Sequence, residues 1–384
     1  LVVPAQCFAA FVRSPLAHAR VLSIQTQEAL KQPGVRGIYT GADLARDGLG
    51  GIGPVVVFNG RDGQPMKQAP IPVLAHERVL HVGEAVAMVV AESLAQALDA
   101  AERVVVDYEP LPAVTTAYEA VEADAPLLSA DVPGNVCMDW RPGDHSGTAA
   151  AFAQAAHVVS LDLDNHRVTT NPIEPRGSVG TFDPASGRYT LHISSQSIHA
   201  NRNHAARALG VDQKQVRFVA PDVGGGFGAK NFIYVEHVLV AWAARRVGRP
   251  VKWIATRSEV FLADHPSRDM QARASLALDA SGKFLALKVA SVANVGAYPS
   301  GAGIAIPLFV GPKVSTGTYD IPLIDFRFQA VMTHTATTGA YRGAGRPEAI
   351  YIMERLMDEP ARQIGMDRVA LRRRNLIQPQ QFPY

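Results

Sequence analysis

The chain has 384 residues, 47% of them hydrophobic and 19% charged, enough apolar material for two or more domains and too much for wholesale disorder. With 37 basic against 35 acidic residues the formal charge is +2, so neither nucleic acid nor an anionic membrane has an electrostatic claim as main partner. Its two cysteines, Cys7 and Cys137, exclude a disulfide framework, a cysteine-based zinc set and an iron–sulfur cluster built from this chain alone, and no apolar run approaches a membrane span.

Residues 1–115 read as a mixed α/β unit. Residues 8–13 alternate as a strand, 17–24 form a second, 28–31 a short helix before Pro33-Gly34, and 34–41 a third strand bounded by glycines. Residues 46–70, rich in Gly and Pro, read as a long loop. Residues 85–91 make a continuous apolar strand. Ser93 caps a helix over 94–103 whose stripe is Leu94, Ala97, Leu98 and Ala101, and 104–109 is a strand ended by Pro110 and Pro112. Residues 116–148 carry Pro, Gly, Asp and Ser without a firm period and are expected to be a linker. A second domain is expected over 149–384. It holds a small helix at 149–156, strands at 158–164 and 188–195, a helix at 198–209 ended by Gly210, a strand at 216–219, a helix at 233–247 and a strand at 251–256. A β-rich stretch follows over 270–335. The helix expected at 346–364 carries Ile350, Met353, Leu356, Met357, Ala361 and Ile364 on its apolar side, and a short helix follows at 368–375. The start, Leu1-Val2-Val3-Pro4, has neither an initiator Met nor a signal peptide, and the tail stops as though in mid-connection, so both ends read as cuts. A cytoplasmic location is expected, with export alongside a signal-bearing partner left open.

The most informative run is Val216-Arg-Phe-Val-Ala-Pro-Asp-Val-Gly-Gly-Gly-Phe-Gly-Ala-Lys-Asn-Phe232. Glycines at 224, 225, 226 and 228 remove the side chains that hold a backbone away from a ligand, and their N–H groups can face a bound oxygen or phosphate. Strand, glycine turn and helix is a layout that places an anion or cofactor at a helix N-terminus. A tight turn with no ligand is the plain alternative. The spacing fails the dinucleotide fingerprint, because Asn231 stands where a third glycine is needed, and it fails the phosphate-loop pattern after Gly228.

Two further segments join it: Ser194-Ser-Gln-Ser-Ile-His-Ala-Asn201, and Gly339-Ala-Tyr-Arg-Gly-Ala-Gly-Arg-Pro-Glu-Ala349. In order and spacing the three resemble the molybdenum-cofactor subunit of the xanthine dehydrogenase and aldehyde oxidase family. Val82-Gly-Glu-Ala-Val-Ala-Met-Val-Val-Ala-Glu92 and Val106-Asp-Tyr-Glu-Pro-Leu-Pro-Ala-Val114 resemble that family's N-terminal hammerhead domain, and Leu371-Arg-Arg-Arg-Asn-Leu-Ile377 is a further match. The resemblance covers nearly the whole chain. It implies an α+β fold, with an α/β-hammerhead domain over 1–115 followed by the first part of a molybdenum-cofactor-binding domain. It also implies a molybdenum–molybdopterin cofactor, usually the cytosine dinucleotide form in bacteria. The implied reaction hydroxylates an electron-poor carbon of an aldehyde or N-heterocycle with oxygen from water. Electrons would leave through iron–sulfur clusters and FAD on partner subunits.

By the same resemblance Gln196 matches the glutamine that donates to the metal's oxygen, a neutral group that polarises without competing as a ligand. Gly225, Gly226, Phe227 and Gly228 match the loop that approaches metal and pterin, with Phe227 shielding that side from water. Arg342 and Gly343 match the cofactor-binding turn, where a planar guanidinium bonds pterin or phosphate oxygens. Gln196, Phe227 and Arg342 are thus expected near the molybdenum without ligating it. Asn231, Tyr341 and Ala344 are expected around the substrate. Lys230 supports the loop or a phosphate, or is merely solvated. Purine-oxidising members carry a glutamate where Asn231 stands and an aromatic ring at Ala344, and the carbon monoxide-oxidising members carry a cysteine that the 341–346 turn lacks. Both departures point toward an aldehyde or N-heterocycle as substrate. The general-base glutamate is expected outside this chain, in the remaining C-terminal part of the subunit. Glu174 and Glu236 read as ion-pair or strand-edge residues, and His199 and His204, five apart on a helix, as no metal pair. Two other readings stay open: a truncated or split relative acting as a structural, partner-binding subunit, and a nucleotide-binding oxidoreductase resting on the glycines alone.

Overall fold

The structure, a computed structural model, describes residues 1–53 and 57–384. Its largest sheet has seven strands in the spatial order Val216–Val219, Arg188–Ile193, Gly177–Asp183, Val251–Ile254, Cys7–Arg13, Ala85–Ala91 and Val35–Thr40. Strand Cys7–Arg13 is the junction: it runs parallel to Val251–Ile254 on one side and antiparallel to Ala85–Ala91 on the other. The 1–115 unit and the region beyond 149 therefore share one continuous sheet. Every residue of Ala85–Ala91 is buried, because neighbouring strands and packed layers leave it no wet side, and this is why it reads as an unbroken apolar run.

A second sheet runs Val136–Trp140, Leu323–Met332, Phe284–Gly296, Met270–Leu278 and His157–Asn165. Helix Arg346–Ile364 packs its Met353, Leu356 and Met357 into the core that this sheet forms with Leu276, Phe284 and Phe328. Each such side chain contributes about 1.5–3 kcal/mol on burial. A small sheet of Arg78–Val79, Ala19–Gln25 and Val105–Pro110 completes the N-terminal region. Mixed helix and sheet of this kind is the α+β architecture expected above.

Several local expectations differ from what forms. The segment 116–148, expected as a linker, contains Val136–Trp140, which pairs antiparallel with Leu323–Met332; five residues are too few for alternation to show. The helix after Ser93 buries Ala97 and Ala100, whereas Leu94 and Leu98 are 49% and 43% exposed. Small side chains let this helix lie close on the sheet, so alanine rather than leucine marks its inward side. On helix Arg346–Ile364, likewise, Ile350 is exposed and Ile352 is buried. Residues Gly41–Arg46 form a helix capped by Thr40 and Asp43. The long loop expected over 46–70 follows it, pinned by bridges Ile52–Ile71 and Asn59–Pro65, and its residues 54–56 lie outside the described residues. Strand Gly177–Asp183 and helices Arg257–Ala263 and Gly301–Ala305 had no clear pattern in the sequence.

A buried ionic cluster sits where helix Val235–Val247 begins. Arg176, fully buried, bonds Asp264 at 2.6 Å and Glu236 at 3.0 Å, with its guanidinium 3.7 Å over the Tyr234 ring. Arg13 reaches Glu236 and Glu259, each at 2.8 Å. Beside them His237 and His265 are held neutral, chiefly by burial and then by the Arg176 charge, with pKa values lowered to about 3. A base whose folded pKa lies below its unfolded value of 6.5 takes up protons preferentially in the unfolded chain between those two values. Stability is therefore complete above about pH 6.5 and falls as pH drops toward 3, by about 1.4 kcal/mol per pH unit for each histidine. Urea unfolding followed from pH 7.5 to 5 should show a falling midpoint; a constant midpoint would contradict neutral burial of these rings.

Candidate functional site

The glycine loop leaves strand Val216–Val219 and turns back across two other segments. Gly228 N donates to Gln196 Oε1 at 2.9 Å, Gln196 N donates to Lys230 O at 2.9 Å, and Arg342 N donates to Phe227 O at 2.9 Å. Gln196, the glycine loop and the Arg342 turn are thus brought together, from positions far apart in the chain.

Two glycines are required for this approach. A Cβ on Gly226 would stand 2.4 Å from Gln196 Oε1, and one on Gly228, whose φ is +112°, would stand 2.3 Å from Ala340 O. A backbone N–H can donate only to the oxygen of an amide, so its bond to Gln196 fixes which end of that side chain faces the loop. The Nε2 end has no partner among the described residues. Neither do the N–H groups of Gly225, Gly226 and Phe227, nor the guanidinium of Arg342. The side chains of Gln196, Phe227 and Arg342 are exposed, so the Gln196 and Arg342 donors are open to solvent. Gly343 lies in the same turn with φ +92°, and Ala344 follows at φ +37°, a left-handed conformation uncommon for alanine.

The expectation of a helix N-terminus at the loop does not hold. Gly228 leads into a single turn of 3-10 helix, Ala229–Asn231, and helix Val235–Val247 starts later at a buried Tyr234. The donors come from loop backbone and side chains, in the manner of a backbone nest.

Under the loop lies a support that sequence reasoning found only in part. Glu174 Oε2 accepts from Gly224 N at 2.7 Å, Ser194 Oγ at 2.7 Å and Lys230 Nζ at 2.6 Å. Burial alone would raise the Glu174 pKa, but these bonds outweigh it and hold the carboxyl below its usual range. Lys230 is buried and serves the loop rather than solvent. Tyr234 OH donates to Ala229 O at 2.9 Å and accepts from His265 N at 3.2 Å, which ties the loop to the Arg176 cluster. Arg268 bonds Arg342 O and Glu348, each at 3.0 Å, with its guanidinium 5.1 Å from the Tyr341 ring centre. Arg268 and Asp269 have φ of +69° and +63°, so strain sits directly behind the Arg342 turn. No glycine announces that pair, which is why the sequence did not show it.

Asn231 lines a cavity of about 300 Å³ that begins one residue beyond the junction, at Ser197 and Asn231. Tyr341 and Ala344 belong to the Arg342 turn and do not line this cavity. No group of three or more metal-ligating side chains forms among the described residues, His199 and His204 included, and no helix among them is long and apolar enough to cross a membrane.

The donor set suits an anionic, oxygen-rich group: free N–H groups, an amide N–H₂ and an unpaired guanidinium on segments whose close contact a Cβ at Gly226 or Gly228 would break. A molybdenum–pterin group fits these residues, with Gln196 Nε2, the loop amides and Arg342 as the groups that would hold it.

Comparison with known proteins bears on the same residues. Residues 128–376 match the molybdopterin cofactor-binding domain, and residues 1–112 match the aldehyde oxidase and xanthine dehydrogenase a/b hammerhead domain. The chain is 37% identical to the carbon monoxide dehydrogenase large chain of Afipia carboxidovorans, over 100% of this chain and 48% of that one. It is 32% identical to the nicotine 6-hydroxylase large subunit of Paenarthrobacter nicotinovorans, over 100% and 46%. The crystal structure of quinoline 2-oxidoreductase from Pseudomonas putida 86 superposes with a TM-score of 0.90 at 34% identity, covering 100% of this chain and 48% of that one. The chain thus spans about half the length of the curated relatives it matches. With both family domains matched in order along its length, the chain belongs to the aldehyde oxidase and xanthine dehydrogenase family, as the hammerhead domain and molybdopterin cofactor-binding region of its large subunit.

Proposed function

We propose that this chain is part of a molybdenum hydroxylase that oxidises an aldehyde or an N-heterocyclic carbon, with oxygen from water and electrons passed to iron–sulfur and FAD-bearing partner subunits. The observation that carries the proposal is the orientation of Gln196: Gly228 N holds its oxygen, and its N–H₂ is left unspent. When bound, a molybdenum–molybdopterin cofactor, in the cytosine dinucleotide form, supplies the two-electron redox step. The protein's part is placement. Gln196 offers a neutral donor, the Gly225–Phe227 amides and Arg342 bind oxygens, Phe227 excludes water, and Gly343 keeps the Arg342 turn close. Asn231 borders the substrate from the adjoining cavity, and Tyr341 and Ala344 border it from the Arg342 turn, outside that cavity.

Glu174 is not a free base, since its Oε2 already holds three donors. We assign the proton-accepting glutamate to the rest of the subunit. The relatives named for nicotine and quinoline support an N-heterocycle. The likeness to a carbon monoxide dehydrogenase chain is outweighed by the absence of cysteine from Tyr341-Arg-Gly-Ala-Gly-Arg346. Both cysteines are buried and unpaired, which supports a cytoplasmic assembly.

The test is a substrate panel on the assembled, metal-loaded enzyme. Turnover of quinoline or benzaldehyde should exceed that of xanthine and carbon monoxide by about 100-fold or more, a difference of about 3 kcal/mol in barrier. The reverse order would refute the substrate class. Assembled protein that never takes up molybdenum would instead favour a structural subunit.

A further inference from the structure

The 300 Å³ cavity beside the junction has an unusual lining. It is bounded by apolar groups such as Ile52, Ile71, Phe232 and Ile233, and none of its described side chains is charged. Its polar groups are the carboxamide of Asn231 and a few neutral side chains, among them His265. The His265 ring lies against Phe232, with centroids 4.9 Å apart, and against Tyr234, with centroids 4.6 Å apart. It is 7% exposed, and its buried Nδ1 has no hydrogen-bond partner among the described residues. It also lines a second, smaller cavity of about 50 Å³ that shares Ile52, Ile71 and Ile233 with the first. A buried polar group without a partner is costly, and a native fold keeps one where water or a ligand completes it. Burial and the nearby Arg176 hold the ring neutral, so one nitrogen donates and the other accepts.

We propose that His265, with Asn231, is the polar recognition pair of this cavity, and that the pair selects an uncharged, planar N-heterocycle over a carboxylate-bearing one. Aromatic and aliphatic walls take the ring faces, and a ring nitrogen pairs with the imidazole or the carboxamide. An anionic substrate would enter a low-polarity space with no cation to meet it. The proposal rests on the hydroxylase reading, since it treats this cavity as the substrate's.

The test is equilibrium binding of quinoline, naphthalene and quinoline-2-carboxylate to the assembled protein, followed by calorimetry. Naphthalene has the same shape as quinoline without the nitrogen. His265→Phe should weaken quinoline about ten-fold and leave naphthalene within about two-fold. Asn231→Ala, at an exposed position that carries little folding risk, should weaken quinoline about three-fold with naphthalene again unchanged. Quinoline-2-carboxylate should bind the unaltered protein at least about ten-fold more weakly than quinoline. Equal losses for quinoline and naphthalene, an unchanged quinoline affinity in both variants, or tighter binding of the carboxylate would overturn the assignment. Selective quinoline binding without turnover of any heterocycle or aldehyde by the metal-loaded enzyme would overturn the hydroxylase reading instead and leave the pocket assignment standing.

Discussion

Gly228→Ala should cut the molybdenum content of the assembled protein by about ten-fold or more while leaving its circular dichroism spectrum native. Two costs combine at this position. A φ of +112° is a region that alanine avoids, and the new Cβ would meet Ala340 O at 2.3 Å, which is backbone and cannot rotate away. The loop must retreat, and retreat breaks the Gly228 N bond that aims Gln196 as well as the Phe227–Arg342 link. Gly248→Ala is the matched control. Gly248 also has positive φ, +65°, but a Cβ there meets nothing within 4 Å, and the residue lies at the far end of helix Val235–Val247. It should cost about 1 kcal/mol of stability and no molybdenum. Equal metal loss in both variants would mean that the glycine loop matters only for folding.

Arg176→Met should be the most destabilising single change in the chain, by about 3–5 kcal/mol, seen as a fall of roughly 4–6 °C in Tm. The substitution leaves Asp264 buried with no partner and Glu236 with Arg13 alone. Burial pushes the Asp264 pKa up even with Arg176 in place, so without the guanidinium its carboxyl should take up a proton at neutral pH. The double variant Arg176→Met/Asp264→Leu removes the stranded carboxyl and should recover part of the loss, giving a coupling of about 1–3 kcal/mol in a double-mutant cycle. Additive losses would show that Arg176 acts by packing on Tyr234 and Trp253 rather than by charge. The cluster also reaches the site: Arg176 follows Glu174 by two residues, and Asp264 immediately precedes His265. The variant should therefore bind molybdenum less well even at temperatures where it remains folded.

The parts of this site that were legible in the sequence are those where the backbone itself does the work. Close approach demands glycine, so Gly226, Gly228 and Gly343 stand out in the sequence. Gln196 and Arg342 were legible only through a family likeness, since a lone glutamine or arginine carries no pattern. The support beneath them was legible only in part: Lys230 stood as a candidate loop support, but its partner did not. Glu174 and Lys230 are 56 residues apart and meet only through the fold, and Arg176 reads as an ordinary charged residue until burial is known. Secondary structure shows the same division. Long periodic helices such as Arg346–Ile364 were clear. Strand Gly177–Asp183 was hidden because Gly180 breaks its pattern, and it does so because a Cβ there would press on Val240 O of the covering helix at 2.7 Å. Leu94 and Leu98 misled for the opposite reason: a hydrophobic stripe gave the period of the helix correctly but not the side that packs.

Anomalous diffraction at the molybdenum edge, from crystals of the assembled and loaded protein, reaches the centre of the matter most directly. A single peak where Gln196, Phe227 and Arg342 converge is the expected result. Molybdenum at full occupancy elsewhere in the molecule, with those three residues facing only solvent, would contradict it.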